Sequence, residues 1–71
     1  MVAQRYFDFE SVAGQAGVPP EKLAELCRLV RLEFPQDDMM YELHVLRACM
    51  AVKSGDVRIE DLLRATGKGE S

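Results

Sequence analysis

The stretch FESVAGQAGVPPEKLAELCRLVRL, residues 9–32, decides how the rest of the chain is read. Asp8 suits an N-cap, and Phe9, Val12, Ala13 and Ala16 follow at the i, i+3, i+4, i+7 spacing of one helix face. Gly17 is placed for the left-handed residue that ends such a helix, and Val18 plugs the turn into the core. Pro20 fits the first turn of a second helix, where a missing N–H costs nothing, and Glu21 favours its positive end. Leu23, Leu26, Cys27 and Val30 form the apolar face of that helix, with Leu29 beside it. Pro35 cannot continue it, so it ends near Glu33. Glu25 and Arg28, three apart, pair on its exposed side for a few tenths of a kcal/mol.

Working outward, residues 1–7 show no clear period, and Tyr6 and Phe7 either pack on the core or form a short edge strand. Pro35 to Asp38 is a short polar connection, with Asp37 or Asp38 capping a third helix over Met39 to Lys53. That helix is the longest and most apolar. Met39, Leu43, Leu46 and Met50 follow one seam, while Met40, Val45, Cys49 and Val52 widen the apolar surface, so neighbours are expected on more than one side. Ser54-Gly55 closes it. A fourth helix runs from Arg58 to Ala65 with Ile59, Leu62 and Leu63 apolar and Val57 packing inward; Thr66-Gly67 ends it. The expectation is one all-α domain of four short helices over residues 1–67, followed by a mobile tail at 68–71.

Seventy-one residues allow one domain with a small core, and 48% apolar with 30% well-mixed charged residues excludes a disordered segment. Twelve acidic against nine basic residues give a net charge of −3, the opposite of the positive excess usual in nucleic-acid binders. Cys27 and Cys49 form no CxxC and have no flanking histidines, and read as buried reduced thiols. No apolar run is long enough for a membrane span and no signal peptide is visible, so a cytoplasmic location is expected.

Taken in order, the helices resemble the MerR-type helix-turn-helix, a winged-helix-derived fold. VAGQAGVPPEKLAELCRLVRL is similar to that family's first two helices, with Gly17-Val18 in the turn, Leu23 as the buried leucine of the second helix, and Arg28-Leu29 near its end. VLRACMAVKSGDVRIEDLLRA is similar to the later helices. The resemblance covers residues 9–65 and implies the fold. Its departures bear on function. Where MerR-type DNA readers present a basic and aromatic pair after the buried leucine, this chain has Ala24 and Glu25. The wing is vestigial, since EFPQDD between Leu32 and Met39 is too short for a hairpin and carries three carboxylates. The long dimerisation helix that follows the domain in MerR regulators has no counterpart before Ser71. The same losses mark the chaperone-modulator family CbpM, which resembles a MerR-like domain but binds a J-domain co-chaperone. GVPPEKLAEL is similar to its acidic turn-and-helix pattern.

Catalysis finds no support in the sequence. His44 is the single histidine, at the edge of the buried face, no Gly-rich phosphate loop is present, and Ser11 and Ser54 sit where helix starts and turns use serine. No enzyme activity, cofactor or metal is expected. Arg28, Arg31 and Arg47 read as an anion patch or, more commonly, as solvated charges compensating Glu25, Glu33 and Glu42. Phe34, Met39, Met40 and Tyr41 read as an adaptable apolar patch or as core filling. The function expected is a small regulatory or adaptor protein, monomeric or weakly dimeric, that binds a protein partner through Glu21, Lys22, Glu25, Arg28, Met40 and Tyr41. The alternative is a DNA-binding transcriptional regulator or excisionase-like accessory factor, with Lys22, Arg28 and Arg31 on phosphates. A third reading is a piece of a larger assembly completed by its Met and Leu surface.

Overall fold

A computed structural model of the chain describes residues 7–68 and is all-helical among them, with four helices and no strand. The helices are α1 (Phe9–Ala16), α2 (Pro20–Glu33), α3 (Asp38–Ser54) and α4 (Ile59–Lys68). Each boundary has a local cause. Asp8 caps α1, its carboxylate accepting from the Ser11 backbone N–H at 3.3 Å and the Ser11 hydroxyl at 2.8 Å. Gly17 ends the helix at φ +79°, and Val18 N–H turns back to the Ala13 carbonyl at 3.0 Å. α2 opens on Pro20 without a side-chain cap. α3 is capped by Asp37, which accepts from Met40 N–H at 3.1 Å, and ends at Gly55 with φ +88°.

α1 packs chiefly on α3, while α2 packs on both α3 and α4. The core draws on all four helices: Phe9 and Ala13 from α1, Leu26 and Val30 from α2, Val45 and Cys49 from α3, and Ile59 from α4, with Val18 closing the turn. Leu26, Val45 and Cys49 are fully buried. Two links distant in sequence fasten α1 and the residues just before it to α3. Phe7 N–H donates to Glu42 Oε1 at 3.0 Å, and Lys53 Nζ donates to Gln15 Oε1 at 2.6 Å.

Several sequence expectations need correction. Of the apolar residues expected around α3, Val45 and Cys49 are buried, together with Glu42, whereas of the seam Met39, Leu43, Leu46, Met50 only Leu46 packs on the core. Apolar residues lie almost all round this helix, so the pattern gave no single direction, and the Phe7–Glu42 bond allows a carboxylate on the inner face. Glu42 is therefore not one of the solvated acids. Thr66-Gly67 does not end α4, which continues to Lys68. The Thr66 hydroxyl bonds back to the Leu62 carbonyl at 2.8 Å, and one glycine costs a helix only about 1 kcal/mol. The start of α4 falls at Ile59, within a residue of the expected Arg58, whose carbonyl accepts from Leu62 N–H at 2.9 Å. Cys27 is half-buried rather than buried, and neither thiol is in a disulfide. Phe7 is half-buried and lies in no strand; Tyr6 and residues 69–71 lie outside the described residues.

Candidate interaction surface

The outward face of α2 is set by its own periodicity. Leu26, Leu29 and Val30 point inward, which leaves Glu21, Ala24, Glu25, Arg28 and Leu32 exposed on the opposite side. Within that face Arg28 bonds Glu25, with Nη2 2.8 Å from Oε2 and Nε 3.3 Å from Oε1. The hydrogen bond from Arg28 holds the Glu25 carboxyl below its usual pKa. The guanidinium is thus occupied by a neighbour on its own helix.

Arg31 is drawn elsewhere. Its Nη1 donates to the Phe34 carbonyl at 3.2 Å and to Asp38 Oδ1 at 2.9 Å, joining the end of α2 to the start of α3. Lys22 lies one turn before Leu26 and two before Leu29, on the inner side of the helix, and is half-buried. The three cations expected to meet phosphate therefore do not form one exposed patch.

Of the candidates on α3, Tyr41 meets α2. Its ring makes an edge-on contact with Phe9, centroids 6.3 Å apart, and neighbours the thiol of Cys27. Burial, followed by the hydrogen bond with Cys27, pushes the phenol up to about 12. Met40 is half-buried, and its carbonyl lies 3.0 Å from His44 Nδ1. The His44 ring is tilted against Phe34, centroids 4.6 Å apart, so Phe34 and Tyr41 are packed rather than presented. Glu21, Glu25 and Arg28 thus share one face, Tyr41 borders its flank, and Lys22 is turned away.

Two clefts edge this surface. One of about 450 Å³ lies between α1, α2 and α3, bounded by Phe9, Pro20, Leu23, Cys27 and Tyr41. The other, of about 610 Å³, sits at the α2–α3 corner among Glu33, Phe34, Asp37, Asp38 and Met39. That corner spans only residues 34–37 and holds no hairpin. Sequence reasoning missed Leu32, which is 54% exposed at the end of the acidic stripe. The signal was available, since Leu32 follows Arg28 by four and Glu25 by seven, the spacing of the polar face.

Among the described residues no cluster of histidine, cysteine and carboxylate side chains is suited to a metal ion, and no helix is long and apolar enough to cross a membrane. No protein-family model, curated protein or solved structure gives a significant match to this chain.

Proposed function

We propose that this chain is a small, non-enzymatic regulatory or adaptor protein of the cytoplasm, built on a MerR-like helix-turn-helix scaffold and binding a protein partner through the outer face of α2. The observation that carries the reading is the content of that face. Glu21 and Glu25 lead it, the Arg28 charge is engaged by Glu25, and an exposed leucine closes it. A DNA-reading helix gains affinity from cations free to replace counterions at phosphate. Here Arg31 is held by Asp38 and the Phe34 carbonyl, and Lys22 sits on the inner side. An acidic stripe with a terminal leucine suits a partner surface that offers basic side chains around an apolar hollow.

The test has two arms. Titration with random duplex DNA at low salt is expected to leave the amide spectrum unchanged; submicromolar binding that weakens steeply with salt overturns the proposal in favour of the transcription-regulator alternative. In the second arm, a protein that co-purifies with the wild-type chain is expected to be lost from E21K/E25K and from L32S. Retention by both variants overturns the assignment to α2.

A further inference from the structure

Met39, Leu43, Leu46 and Met50 follow one another on α3 at steps of four, three and four, the heptad spacing of a helix that packs lengthwise on another helix. Within the chain this seam has no such partner. Its ends, Met39 and Met50, are 48% and 52% exposed, and with Leu32 they are the large exposed hydrophobics among the described residues. Leu43 is half-buried and lies outside the core cluster; only Leu46 rests an edge on it.

The identity of the occupant follows from symmetry and charge. Read from either end, the seam is Met, Leu, Leu, Met with the same steps. A two-fold axis between Leu43 and Leu46 would therefore bring Met39 opposite Met50 of a second copy and Leu43 opposite the second copy's Leu46. Such self-complementarity is what a closed dimer interface requires. The charges run the same way. Glu33 and Asp37 lie at the start of the seam, where Asp38 is already paired with Arg31, and Arg47 and Lys53 lie at its end with Asp56 beyond them; Arg47 makes no ion pair among the described residues. An antiparallel pair sets the acidic end of each copy beside the basic end of the other and opposes the helix dipoles, whereas a parallel pair sets like beside like. Shallow hollows of about 360 and 330 Å³ flank Met50, one beside Arg47 and Ala51, the other beside Val12 and Lys53, where the second copy's Met39 can seat.

We infer that this chain forms an antiparallel, two-fold homodimer through the α3 seam. The interface uses a different helix from the α2 face and stands independently of the function proposed above. One helix face supplies less than the roughly 800 Å² per partner of a standard interface, so the dimer is weak and concentration-dependent.

Sedimentation equilibrium of the intact chain tests it. From about 10 µM to about 1 mM the apparent mass is expected to rise reversibly from 8.0 kDa toward twice that value. M39K and M50E each weaken the dimer at least about tenfold, while the M39K/M50E double variant recovers wild-type affinity to within about threefold, because each change faces the other across the axis. Both positions are about half exposed, so the variants keep their helices, verified by circular dichroism. R47E, at an exposed site, weakens the dimer independently of either methionine. A monomer at every concentration, a dimer indifferent to the single variants, or a double variant no better than the singles overturns the inference.

Discussion

The guanidinium carbon of Arg31 lies 3.9 Å from the centroid of the Tyr41 ring, while the same group donates to Asp38 and to the Phe34 carbonyl. One side chain thereby occupies the end of α2, the start of α3 and the face of an aromatic packed between them. R31A is expected to destabilise the fold by about 1–2 kcal/mol, summing a cation–π contact with a partly exposed ion pair. R28A, which removes an exposed pair within a single helix, is expected to cost under about 0.5 kcal/mol. Urea midpoints of the two variants check the contrast, and equal losses would show that Arg31 does not join the two helices.

The glycines predict changes of opposite sign. Gly17 and Gly55 hold positive φ angles of 79° and 88°, and nothing stands within 4 Å of a Cβ added at either. The cost of G17A or G55A is then backbone strain alone, about 1 kcal/mol each. Gly14 lies inside α1 at ordinary helical φ, with equally open space around it. G14A is expected to stabilise by roughly 0.5–1 kcal/mol, since alanine restricts the unfolded chain and favours the helix. Thermal midpoints that move in opposite directions check the pair.

Alkaline pH acts on two protons that the fold retains. Burial raises the Cys49 thiol from 9.0 to about 11 and the Tyr41 phenol from 10.0 to about 12. In both cases the folded chain holds a proton that the unfolded chain releases first. The associated stability is therefore complete below pH 9 and declines as pH rises toward about 12, by at most about 3 kcal/mol per group and less at Tyr41, where solvent screens the charge. Y41F is expected to remove the decline between about pH 10 and 12 and to leave the Cys49 portion in place. Urea titrations across this range measure both.

The parts of the fold legible in the sequence are those whose causes are local. Asp8, Gly17, Pro20, Asp37 and Gly55 act within a few residues of themselves, and the helix ends fall where those residues set them. The inward face of α3 is different. Its direction is set by the packing of α1 and α2 on it, with Glu42 met by the N–H of Phe7, 35 residues away, and nothing in the spacing of α3 itself marks a carboxylate as inner and a methionine as outer. The candidate surface divides the same way. The Glu25–Arg28 pair follows from i, i+3 spacing, whereas Arg31 is drawn toward α3 because Asp38 and Tyr41 come to it from that helix. Leu32 was readable from periodicity once Leu26 and Leu29 were taken as inward.

The two clasps that tie α1 and the residues just before it to α3 also bear on how the fold closes. Phe7 reaches Glu42 and Gln15 reaches Lys53, across separations of 35 and 38 residues. Eight residues are too few to hold a helix alone in water, so α1 gains its order only when α3 arrives. Docking the first helix on the third therefore closes a long loop, whose entropy the contacts of α1 with α3 offset.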